Sequence, residues 1–189
     1  MHKQRLEAFS DGVIAILITI MVLELRVPAG GDWQALRGLG PTFSAYVLSF
    51  IYLGIYWNNH HHLLHVVDRV TGGMLWANLH LLFWLSLVPF ATNWMGEHPH
   101  DPLPTAGYGL VLLCAALAYQ LLVLVIIRAQ GPESKLKAAV GADAKGYVSL
   151  AIYLASIAVT LVRHQIAWAG FLLVALIWLV PDKRIERVL

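Results

Sequence analysis

The stretch RLEAFSDGVIAILITIMVLEL, residues 5–25, decides how this chain is read. Between Gly12 and Leu23 its only polar residue is Thr19. At about 1.5 Å per residue, such a helix is long and apolar enough to cross a hydrocarbon layer of about 30 Å. Yet an arginine, a serine and an aspartate stand at its mouth. A carboxylate near the membrane edge is expensive unless paired or hydrated, so Asp11 calls for a fixed partner.

Hydropathy cannot say which side of this helix meets lipid and which meets protein, because both sides are greasy. Turning about 100° per residue places Phe9, Gly12, Ile16, Thr19, Ile20, Leu23 and Val27 within about 120° of one another. That heptad-like stripe suits close packing around an axis, although ordinary helix packing is its commoner explanation. Asp11 lies about 140° from Ile16 on the same wheel. If the stripe faces an axis, the aspartate faces back into its own subunit or a neighbour. Ser10 and Asp11 also read as a helix start, provided that Arg5 to Phe9 is not helical.

The remainder of the chain supports a membrane reading. Of 189 residues, 59% are hydrophobic and 13% charged, against about a quarter charged in soluble domains. The formal charge of +2 is too mild to argue for a nucleic-acid partner. Cys114 is the single cysteine, so no disulfide closes within one chain. A signal peptide is rejected because Glu7 and Asp11 spoil the basic start that one requires. Six spans are expected, at about 8–27, 42–64, 73–95, 105–128, 146–163 and 166–181, in one all-α domain. The tight RHQ connection makes the last two an antiparallel hairpin.

Counting Lys and Arg between the spans orients the chain. With the N-terminus in the cytoplasm, ten fall inside (Lys3, Arg5, Arg69, Arg128, Lys135, Lys137, Lys145, Lys183, Arg184, Arg187) and three outside (Arg26, Arg37, Arg163). Both termini are therefore expected inside.

Other constellations carry less. In NNHHHLLH, residues 58–65, His61 and His65 share a helical face at metal-ligand spacing, but no cysteine completes a site and Asp68 is the only nearby acid. No metal is expected. Ser10, Asp11 and a histidine make a poor triad, because adjacent side chains diverge by about 100° on a helix. No phosphate-binding loop or dinucleotide fingerprint appears, so an enzyme is not expected.

RLEAFSDGVIAI, residues 5–16, resembles the R-x-x-x-F-S-D signature that opens the first helix of the transmembrane protein 175 family of potassium channels. YWNNHHHL (56–63) and LWANLHLLFWLSLVPFATNW (75–94) extend the resemblance, while the last three spans match only in hydropathy. It implies a homotetramer of single six-helix chains in the plasma membrane, with lipid, its own copies and potassium ions as partners and no cofactor. The first helix lines the pore, with Ile16 as the narrowest ring and Ile20 and Leu23 as the next rings outward, and no T-V-G-Y-G filter. Thr19 is the selectivity candidate; the competing reading has its hydroxyl bonded back to the carbonyl of Ala15. Arg5, Phe9, Ser10 and Asp11 are implied to join a polar network with Asn59, His60, His61, Trp76 and Asn78. His80 departs from the family pattern, which has an aliphatic residue there. The rival from another class is a proton-coupled secondary transporter using Asp11 and the histidines as relay groups.

Overall fold

The computed structural model describes residues 2–67, 69–131, 134, 136, 137 and 143–179, and among these every regular element is helical. The elements are α1 (Lys3–Leu23), α2 (Trp33–Gly38), α3 (Gly40–His65), α4 (Gly72–Ser86), α5 (Val88–Glu97), α6 (Pro102–Gln130) and α7 (Ala144–Leu179). Lys3–Leu23, Gly72–Glu97, Pro102–Gln130 and Ala144–Leu179 are the stretches long and apolar enough to cross a membrane by length and composition. Gly40–His65 has 26 residues, ample length, but its tyrosines, serines and C-terminal Asn-His run make it more polar.

Local chemistry sets the breaks. Asp32 caps α2 by accepting from the Ala35 N–H at 2.7 Å, and Thr71 caps α4 through the Met74 N–H at 3.3 Å. Gly131, at φ 79°, ends α6 in the left-handed region that a glycine enters freely. Pro89 has no N–H to offer the preceding turn, and the third span is split at Leu87 into α4 and α5.

At 36 residues α7 is about 54 Å long if straight, far more than one crossing requires. Arg163, with φ −151° and ψ 92°, breaks it. Its two halves lie side by side: the Trp178 indole N–H donates to Ser149 Oγ at 2.8 Å, and Gly170 packs against Ser156. The expected hairpin is therefore present, with its tip at Arg163. Residues 180 and 181 of the sixth expected span, Asp68 and the basic tail lie outside the described residues.

The first span differs from expectation at both ends. Helix α1 begins at Lys3, so Arg5 to Phe9 is helical and the helix-start reading of Ser10 and Asp11 is excluded. It ends at Leu23, which removes Val27 from the stripe. Pro28 disfavours helix at the residue before it, and Gly30 and Gly31 follow.

Cross-links between ends show that the chain crosses back and forth. Lys3 Nζ donates to the His65 carbonyl at 2.7 Å and Gln130 Nε2 to the Val66 carbonyl at 2.6 Å, gathering the start of α1 and the ends of α3 and α6 on one face. On the other face Arg26 pairs with Glu97 at 3.1 Å, and Thr42 Oγ1 donates to the Gly96 carbonyl at 3.1 Å. Helix α6 packs against α4, α5 and α7, whereas α1 leans on α3, α4 and α5. Leu53, Leu81, Leu85, Tyr108, Leu112 and Phe171 are fully buried between them.

Close approach of α6 to α7 depends on Gly109, where an added Cβ would sit 2.8 Å from both Ile157 Cγ1 and Phe171 Cζ. Gly109→Leu is expected to overpack this contact by about 1–3 kcal/mol. The check is the thermal unfolding midpoint of detergent-solubilised protein, which should fall, and fall less for Gly109→Ala.

Candidate functional site

Helix α1 has two sides of the same greasiness and different surroundings. Leu6, Ser10, Ile14, Leu17 and Met21 are buried against α3, α4 and α5. Ile16 is 57% exposed, Ile20 38% and Leu23 80%, and Phe9, Gly12 and Thr19 are exposed with them. The stripe read from the helical wheel is thus the side turned away from the body of its own chain. Thr19 Oγ1 donates to the carbonyl of Ile16 at 2.8 Å, one turn back on its own helix and one residue away from the Ala15 acceptor considered above. Threonine hydroxyls in helices commonly bond back in this way.

Behind the stripe a directed chain of hydrogen bonds ties α1 to two other helices. Asn78 of α4 donates from Nδ2 to Ser10 Oγ at 2.9 Å, and Ser10 passes its own hydrogen to the Leu6 carbonyl at 2.9 Å. At its other end Asn78 Oδ1 meets His60 Nε2 of α3 at 2.7 Å. An amide oxygen only accepts, so His60 carries a hydrogen on Nε2. Ser10, His60 and Asn78 are all buried, and the bonds among them join three helices.

Asp11 stands beside this chain and is held separately. The Trp57 indole N–H of α3 donates to Asp11 Oδ1 at 3.0 Å. Trp57 was not among the residues singled out from the sequence, although it lies in the quoted YWNNHHHL run. The available signal was chemical: an indole N–H in a span needs an acceptor, and Asp11 needed a donor.

The other expected network members are placed elsewhere. Asn59 donates to the Ile55 carbonyl at 2.8 Å and accepts on its own carbonyl from Tyr119 at 3.2 Å, so it turns toward α6. His61 is exposed and stacks on Trp57, with ring centres 6.4 Å apart. Arg5 and Trp76 are exposed and form no side-chain hydrogen bond to the described residues, and Phe9 lies on the outward stripe. Within one chain the structure therefore brings Ser10, His60 and Asn78 together, with Asp11 on Trp57 alongside. His80 is exposed within its span, and its Nε2 accepts from the Trp84 indole at 3.0 Å.

This geometry defines an all-helical membrane protein in which a polar clamp grips one side of the first helix and leaves a branched aliphatic side free. The family model described as endosomal/lysosomal potassium channel TMEM175 matches residues 5–89, the part that contains most of α1, the clamp and Pro89. A potassium channel from Chryseobacterium sp. (strain P1-3) is 56% identical over 189 residues, covering 100% of this chain and 98% of that one. The human endosomal/lysosomal proton channel TMEM175 is 32% identical over 136 residues, covering 64% of this chain and 27% of the human one. In three dimensions the chain is similar to the crystal structure of a lysosomal potassium-selective channel TMEM175 homolog from Chamaesiphon minutus, with a TM-score of 0.84, 26% identity and coverage of 95% and 97%. The chain belongs to the TMEM175 family. That family is one of ion channels, and the chain is not an enzyme.

Removing the middle member of the clamp strands two buried groups at once. Asn78→Leu is expected to destabilise the folded chain by about 2–4 kcal/mol, since each buried unsatisfied group costs about 1–3 kcal/mol. Asn59→Ala, which severs a bond within one helix, should cost well under half of that in the same thermal-unfolding measurement.

Proposed function

We propose that this protein is a potassium-selective channel, formed by four copies of a single six-helix domain around a central pore lined by α1. The observation that carries the proposal is the outward aliphatic face of α1 in a chain 56% identical to a potassium channel over nearly its whole length. A face of Ile16, Ile20 and Leu23 turned from its own body, with a clamp behind it, suits a helix that meets its own copies at an axis.

Ile16 forms the narrowest ring, and Ile20 and Leu23 continue the neck outward over about 10 Å of helix. Four branched side chains close such a neck sterically, and a narrow apolar constriction also expels water, so a small change in radius switches conduction. An apolar ring offers no ligands, and an ion passes by keeping or partly shedding its water. Potassium sheds water at less cost than sodium, which favours it modestly. The Thr19 oxygen adds an acceptor at the edge of the neck. The clamp of Ser10, Asn78 and His60, with Asp11 on Trp57, fixes the height and rotation of the helix. By the positive-inside count both termini are cytoplasmic. Its place is the plasma membrane, as the family resemblance implies.

The test is ion flux in liposomes containing purified protein. Ile16→Ala and Ile16→Asn should raise potassium flux several-fold and lower the preference over sodium. If all three proteins carry equal flux, Ile16 is not the constriction. A saturable, proton-coupled exchange in place of a current reversing near the potassium equilibrium potential would overturn the channel reading. Asp11→Ala should reduce tetramer yield or open probability and leave ion preference unchanged, as read by single-channel recording and native mass spectrometry.

A further inference from the structure

Two exposed faces flank α1, and their composition differs from that of the other outer surfaces. On α3 the exposed large residues include Phe43, Phe50 and Trp57; on α4 and α5 they include Trp76, Phe83 and Phe90. On α6 and α7 the exposed large residues are aliphatic apart from Tyr147 near the start of α7, with Leu110, Leu117, Leu124, Leu154 and Leu176 among them. Leucine-rich faces suit lipid chains. Phe50 and Phe83 stand near mid-span, away from the interfacial belt that would otherwise explain aromatic residues. Large aromatic side chains are characteristic of protein interfaces.

The polar groups on these two faces are also incomplete. His80 Nε2 accepts from Trp84, so the hydrogen of a neutral ring resides on Nδ1, and that N–H has no partner among the described residues. Facing lipid within the span, it would be an unsatisfied donor in hydrocarbon, which membrane proteins avoid. On the α3 side Asp11 uses Oδ1 for Trp57, and its Oδ2 accepts from none of the described residues.

The two groups lie at one depth. Bonds among Ser10, Asn78 and His60 set these three residues at a common level. Asp11 is one residue above Ser10, about 1.5 Å, and His80 is two above Asn78, about 3 Å. Both helices run from the face that holds Lys3. Around α1, the α3 flank is marked by the Trp57 bond to Asp11, and the α5 flank by the groove that Leu17, Ile20 and Glu24 share with Phe90 and Asn93. When α1 helices gather at a rotational axis, the α3 flank of each chain meets the α4–α5 flank of the next, a head-to-tail contact that closes into a ring.

We propose that the α4–α5 face of one chain seats on the α3 face of an adjacent copy, with His80 Nδ1–H donating to Asp11 Oδ2 of that copy. The partner is a second copy because the spare donor and the spare acceptor are on the same chain, at matching depth, and do not meet within it. This inference rests on the tetramer proposed above and adds the faces and the bond that join it.

Cysteine pairs test it. In a Cys114→Ala background, His61→Cys and Trp76→Cys lie on the two flanks, about 1.5 Å and 3 Å below the common level, and both replace exposed side chains. Oxidation of the double variant should give dimers, trimers and a covalent tetramer on a denaturing gel, and each single variant should stay monomeric. A tetramer in native mass spectrometry that does not cross-link, or dimers from His61→Cys alone, overturns the face assignment while leaving the tetramer intact. Absence of a tetramer overturns both. His80→Leu and Asp11→Asn should each lower the temperature at which the tetramer dissociates, and the double variant should lower it no further; additive losses overturn the bond.

Discussion

Everything in this fold depends on one requirement: polar atoms inside a hydrocarbon layer must find partners within the protein. Asn78 meets it by facing two helices at once, donating to Ser10 and accepting from His60. An asparagine suits this position because its amide has a donor and an acceptor on one rigid group. The chain of bonds ends on the Leu6 carbonyl, a backbone acceptor with a second lone pair to offer. Because each bond has a direction, the clamp sets the rotation of α1 as well as its height.

That rotation determines what α1 presents to the outside. With Ser10 held inward, Ile14, Leu17 and Met21 follow it into the chain's core, and Ile16, Ile20 and Leu23 are carried outward. The two sets are chemically interchangeable; only the clamp distinguishes them. Asp11 completes the hold at the edge of the same level, where Trp57 supplies a donor without bringing a second charge into the membrane.

The breaks in the helices matter as much as the helices. Pro89 divides the third span so that α5 bends along α1 and α3, where Gly96 lets Thr42 approach to a distance a side chain would forbid. Arg163 folds α7 into a hairpin. Much of the fold was legible because such signals are local. Length and hydropathy located the crossings, the RHQ connection announced the hairpin, and Asp11 advertised its need for a partner. Helix ends were less legible: Arg5 to Phe9 joins α1, and Val27 falls off it, since capping and Pro28 compete within a few residues.

Sequence alone determined that this is an all-helical membrane chain, which end of the first helix carries its polar anchor, and which residues share a face of that helix. Those features follow from composition and from the fixed turn of an α-helix, which need no neighbours. Tertiary structure decided which face is inside, that Trp57 holds Asp11, and that Asn59 and His61 turn away from the clamp. The reason is physical. Hydrogen bonds between helices depend on how those helices are rotated and staggered, and a run of leucines and isoleucines carries no record of either.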